Sequence, residues 1–216
     1  MVMTDRAMFL LAVAMFMLPI TMEAQGTVRI IQTNSAGDNV HIIDPVTNTV
    51  VDEITGIERA HGAQPTPDGR WIYVANESDN TVDIVDVAMM EVTKKIPLTG
   101  RPNNIAITPN GQKVYVAIAQ SPGALDVIDT TTNEISATIS VHGGVHNTYV
   151  TPDGKHAVAG MIGARNITVI DTKTDTPLWT TYFDRGIRPM AFDTNLDGST
   201  RRVYAQLSNF NGFGVL

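Results

Sequence analysis

The stretches Thr66-Pro67-Asp68-Gly69, Thr108-Pro109-Asn110-Gly111 and Thr151-Pro152-Asp153-Gly154 recur along the chain. Five residues before each threonine stands a side chain able to do chemistry: His61, Asn103 and His146. Taking Asp193 as the counterpart of those threonines adds Arg188. Imidazole, carboxamide and guanidinium groups gathered at one level would hold an anion, a metal-bound water or a polar ligand by hydrogen bonds. Asn104 and Asn147 follow one residue later, and Arg59 and Arg101 stand just before.

Two other patterns invite a metal. His142 and His146 flank Gly143-Gly144-Val145, but in a loop, and a metal of the zinc type needs a third ligand. Two loop histidines are the simpler reading. Asp193, Asn195 and Asp197 precede Gly198 as in the first half of a calcium loop. The glutamate that should close such a loop is replaced by Tyr204, so an enlarged hairpin turn explains these residues as well. Calcium is thus a candidate only at 193–197, and no other cofactor is expected. The chain has no cysteine, which excludes disulfides and a covalently attached c-type haem. It also lacks a Gly-rich phosphate loop, a nucleophile elbow and a Cys–His pair.

The elements that position these residues are short strands. Between residues 70 and 111 the apolar clusters 72–75, 82–85, 92–98 and 105–107 are each of strand length, rich in Val, Ile, Thr and Tyr, and separated by turn chemistry. No segment after residue 25 keeps apolar residues at helical spacing over two turns, so the chain reads as all-β. Strand ends at Asp44, Asp86, Asp129 and Asp171 recur every 42 or 43 residues. Four strands per repeat of about this length indicate a β-propeller blade. Those aspartates are expected to bind turn backbone N–H groups and not to act as acid catalysts. Three strands at 28–54 form a first, partial blade. Three complete blades follow, with inner strands near 60–66, 102–108 and 145–151, and a fifth begins at 187–193 and 203–207. An incomplete arc of three whole and two partial blades is therefore expected, the N-terminal part of a longer ring. Inner strands line a propeller's channel, so His61, Asn103, His146 and Arg188, with Asn104 and Asn147, become a polar ring at its mouth.

Tyr73-Val74-Ala75-Asn76, Val114-Tyr115-Val116-Ala117 and the recurring Thr-Pro-Asp/Asn-Gly hairpin resemble the YVTN family of β-propeller repeats. The resemblance covers nearly all of the chain after residue 25. It implies secreted or periplasmic proteins, seven-bladed and often without an assigned activity. These are related in shape to lactonases and to the propellers of nitrous-oxide and haem nitrite reductases.

The remaining composition narrows the partners. A formal net charge of −7, with only Lys94-Lys95 and Arg201-Arg202 adjacent, argues against nucleic acid. Residues 1–25 carry Arg6, the apolar run 7–20 and a small residue at Ala24, the layout of a signal peptide before a propeller at 26–216. Its apolar run is short for a membrane span, so no stable span is expected after leader removal and the location expected is periplasmic or secreted. The leading expectation is an exported, non-catalytic propeller that binds a small polar ligand or an envelope protein at its channel face. The alternatives are a lactonase- or reductase-type enzyme using channel histidines, and a structural envelope or surface-layer protein.

Overall fold

The computed structural model describes residues 28–216. The described residues hold eighteen strands in five antiparallel sheets, and no helix. Strands β1 (Ile30–Thr33), β2 (Asn39–Asp44) and β3 (Thr49–Thr55) form the first sheet. The second comprises β4 (Ala60–Pro65), β5 (Trp71–Asn76), β6 (Thr81–Asp86) and β7 (Glu91–Pro97). The third comprises β8 (Pro102–Ile107), β9 (Lys113–Ile118), β10 (Ala124–Asp129) and β11 (Glu134–Ser140). The fourth comprises β12 (Asn147–Val150), β13 (His156–Gly160), β14 (Asn166–Asp171) and β15 (Thr176–Tyr182). The fifth holds β16 (Ile187–Thr194), β17 (Thr200–Leu207) and β18 (Phe213–Val215). Every sheet is a meander, in which each strand pairs with the next in sequence. This is the expected β-propeller arc of three four-stranded blades between two three-stranded ones.

Apolar residues on both alternations of the central strands have a direct cause. Four core clusters are each shared by two consecutive sheets: Val40 and Ile42 pack with Ile72 and Val74, Tyr73 and Ile84 with Val114 and Val116, Tyr115 and Leu125 with Ala157 and Ala159, and Val158 and Ile167 with Ile187 and Ala205. A middle blade therefore buries both faces, and β5 and β9 are buried along nearly their whole length. Polar ties reinforce the stacking. The Tyr73 hydroxyl donates to Asn133 at 2.7 Å and that of Tyr115 to Asp175 at 2.6 Å, each crossing to the next blade. Fully buried Asp126 accepts the backbone N–H of Thr99 at 2.8 Å from the preceding blade.

Two repeated turns set the register. Asp44, Asp86, Asp129 and Asp171 each accept the backbone N–H two residues on, at 2.7–2.8 Å. The turn closes through a left-handed residue at Asn48, Met90, Asn133 or Asp175. These aspartates are turn caps, as their regularity suggested. In the other turn, Thr66, Thr108 and Thr151 bond through Oγ1 to the side chain two residues on, and Gly69, Gly111 and Gly154 take the positive φ that closes the hairpin.

Inner strands β4, β8 and β16 each lose pairing for two residues. The register breaks between Ala60 and Ala63, Pro102 and Ile105, and Ile187 and Met190. The residues skipped are His61-Gly62, Asn103-Asn104 and Arg188-Pro189. A break of this kind bends a strand and re-aims its side chains.

Candidate functional site

The skipped positions are the ring residues that the repeat count selected. The matching break in β16 fixes the count there too, so Arg188 is the structural counterpart of His61 and Asn103. In the fourth blade, β12 starts at Asn147, later than the 145–151 expected. Ahead of it, the His146 N–H donates to the Gly160 carbonyl at 3.0 Å and the Val145 N–H to the Ile118 carbonyl. Gly144 lies so near the preceding blade that a Cβ there would stand 2.2 Å from the Ala119 oxygen. That close approach keeps the strand from extending further back.

The structure brings His61 and Arg188 near enough to His146 for their charges to act on it. The His146 imidazole is held below its ordinary pKa first by burial, then by the charges of Arg188 and His61, with a smaller opposing pull from Asn147. Asn103 and Asn147 are buried and Asn104 half-buried. Buried side-chain atoms at this level have no hydrogen-bond partner among the described residues: Asn103 Oδ1, Asn104 Oδ1, His146 Nδ1 and Asn147 Nδ2. Arg188 is exposed and uses Nε on Ser208 at 3.2 Å.

One member was not foreseen. Glu77, at the end of β5, has a side chain only 6% exposed and lies 3.0 Å from His61 Nδ1 and 3.1 Å from an Arg59 guanidinium nitrogen. Arg101 approaches the same carboxylate at 3.8 Å. In sequence Glu77 belongs to Asn76-Glu77-Ser78-Asp79-Asn80, which reads as a polar turn. Its signal lay in the repeat, since the equivalent positions hold Ala119 and Ile162.

The metal candidates are placed otherwise. His142 is exposed in its loop, and its carbonyl accepts from Asn166 at 3.1 Å. The Asp193 carboxylate is occupied by Arg201, which holds its pKa below the usual carboxylate range. Asn195 and Asp197 both bond Ser199 within their own turn. Among the described residues no group of three or more His, Cys, Asp or Glu side chains is placed to hold a metal ion.

Stacked antiparallel meanders with polar residues at the starts of their inner strands define part of a β-propeller. The family model for the cytochrome D1 heme domain matches residues 27–204, and the chain belongs to that family. No curated protein matches the sequence. Among solved structures, Kuenenia stuttgartiensis hydrazine synthase is 28% identical with a TM-score of 0.74, covering 84% of this chain and 53% of that one. The dihydro-heme d1 dehydrogenase NirN, in complex with DHE, is 19% identical with a TM-score of 0.70, covering 92% of this chain and 44% of that one. The chain thus spans about half the length of the structures it matches.

These findings correct two expectations. The propeller reading stands, but a non-catalytic binding scaffold is overturned by membership of a haem-domain family, and so is the expectation of no cofactor beyond calcium. The physical reason is that no short motif carries a non-covalent haem site: the family signal is spread over blades whose local sequence specifies only strands and turns. No helix among the described residues is long and apolar enough to cross a membrane. The leader expected at 1–25 lies outside the described residues.

Proposed function

We propose that the face formed by the starts of β4, β8, β12 and β16 is part of a haem-binding site, and that the protein serves redox chemistry at the haem iron. The observation that carries this reading is the set of buried polar atoms without protein partners at that face, on Asn103, Asn104, His146 and Asn147. Buried polar groups in native proteins are nearly always satisfied, so such a cluster calls for ordered water or a ligand. Family membership supplies its class.

The residues present fit a haem. Arg59, Arg101 and Arg188 are exposed cations, suited to the carboxylates of a tetrapyrrole rim. His61 and His146 would offer imidazole nitrogens to the iron, and the asparagines would hydrogen-bond to groups on the ring edge. Burial favours the neutral form of His146, which leaves one ring nitrogen with a free lone pair. When bound, the haem supplies an iron that exchanges electrons. The residues of this chain hold it, neutralise its carboxylates and limit the water around it. In the same reading the protein is exported by a leader at 1–25 and works in the periplasm.

The test is titration of the full chain with haemin, followed by the Soret band. Saturable binding, weakened at least about tenfold by His146→Ala and by Arg188→Ala (~1.4 kcal/mol each), is expected. Binding no tighter than to an unrelated protein, or unaffected by both substitutions, would refute it.

A further inference from the structure

Glu77 interrupts the repeat. At the same place in the next two blades stand Ala119 and Ile162, so the blade architecture itself asks only for a small or apolar residue. A largely buried carboxylate there costs desolvation that the fold does not require. That cost is offset by three partners that converge from two blades: Arg59 and His61 at the start of β4, and Arg101 just before β8. The backbone takes part as well, since the Glu77 N–H donates to the Arg59 carbonyl and Arg59 holds a left-handed φ of 54°, which a non-glycine residue adopts only when its surroundings hold it there.

The contact with His61 has a chemical consequence. An ionised carboxylate only accepts hydrogen bonds, so a carboxylate oxygen 3.0 Å from Nδ1 favours the proton on that nitrogen. Nε2 is then the nitrogen left free to meet a ligand. The other ring histidine lacks this backing. His146 Nδ1 has no hydrogen-bond partner among the described residues, and the position that would carry its carboxylate is Ile162. The two imidazoles therefore differ in their surroundings: one faces a carboxylate, the other is desolvated without one.

We infer that Glu77 is a positioning residue that fixes His61 in its Nδ1–H form and so makes Nε2 of His61 the nitrogen that this chain presents to a ligand at the channel mouth. The inference deepens the haem reading and rests on it for the identity of the ligand. A carboxylate behind a metal-facing imidazole sets ring orientation and raises basicity, and its loss typically costs about 10–100-fold in affinity.

The test reads the tautomer directly, by nitrogen-15 NMR of histidine-labelled full chain at about pH 8, above the ordinary imidazole range, with His61→Ala assigning the signal. Nδ1–H with a bare Nε2 in the wild type, changing to mainly Nε2–H (the form free histidine prefers) in Glu77→Ala, is expected. Nε2–H in the wild type, a ring protonated on both nitrogens, or a tautomer unmoved by the substitution would each overturn the inference. Alanine is the residue the third blade carries at this position, so the fold has a precedent for it; should the variant not fold, the wild-type spectrum alone decides. Haemin titration of the same two proteins adds an expected loss of about tenfold or more for Glu77→Ala. The tautomer is read without haemin, so failure of the wild type to bind haemin would sink the haem reading while the assignment of Glu77 is judged on the spectrum.

Discussion

Gly62 sits in the break of β4, between His61 and Ala63, where two inner strands come closest. A Cβ there would lie 2.8 Å from the Ile105 nitrogen, 3.0 Å from the Asn103 oxygen and 3.0 Å from the Asn104 Cα, well inside ordinary contact at 3.4–4 Å. All three obstacles are backbone of β8, which cannot swing aside as a side chain can. Gly62→Ala must therefore part β4 from β8. Overpacking of this kind costs about 1–3 kcal/mol, offset by about 0.4–1 kcal/mol from the smaller entropy of the unfolded chain. The net expectation is a loss of about 1–2 kcal/mol, a fall in Tm of roughly 2–8 °C for a chain of this size. The displaced segment includes Asn103 and Asn104, so haemin affinity should fall as well. Gly163→Ala is the control, because nothing lies within 4 Å of its Cβ and its φ is not in the left-handed region. It should be neutral or slightly stabilising. Urea unfolding of the two variants beside the wild type settles the matter. A Gly62→Ala protein as stable as Gly163→Ala would refute the claim that the inner strands are locked at this distance.

Two further predictions follow from buried and capping charges. Asp126 is fully buried and accepts from the Thr99 N–H, the Thr99 hydroxyl and the Thr138 hydroxyl, so Asp126→Ala should cost about 2–3 kcal/mol in urea unfolding by leaving those donors unpaired. Stability should also fall with acid in two windows. Because the folded-state pKa of His146 is depressed below 6.5, the unfolded chain takes up a proton that the folded chain resists, and stability drops as pH falls below about 6.5. His146→Asn should abolish that slope. Turn N–H groups of Thr131 and of Thr174 and Lys173 hold Asp129 and Asp171 below 3.8, so their contribution is present above that value and is lost below it. Unfolding midpoints measured across pH would separate the two windows.

Repetition made most of the fold readable. The Asp-x-x-Thr-type turns and the Thr-Pro-Asp/Asn-Gly hairpins specify their own backbone conformations locally, so their spacing reports the blade period without tertiary information. The equivalence of His61 and Asn103 was legible for the same reason: counting back from Thr66 or Thr108 is counting along one strand, and both residues fall at the matching breaks in β4 and β8. Glu77 was legible only by comparing blades, because its immediate neighbours are ordinary turn residues and its partners Arg59, His61 and Arg101 come from other segments. The haem-domain family was hidden too. A haem held without a covalent link needs a few dispersed polar groups on several strands, and no pair of them stands at a characteristic spacing. Asp193, Asn195 and Asp197 left two readings open in sequence, since oxygen-rich turns resemble calcium loops; in the fold Arg201 and Ser199 bond to these side chains.

The paired residues skipped in β4, β8 and β16 bear on how such a protein changes over generations. His61, Asn103 and Arg188 contribute no rung to their ladders, so the strand pairing itself does not dictate which side chain stands there. A lineage can then alter that face one blade at a time, through single substitutions that the ladders do not register. Within this one chain the experiment has already been run: histidine, asparagine and arginine occupy the same structural position in neighbouring blades.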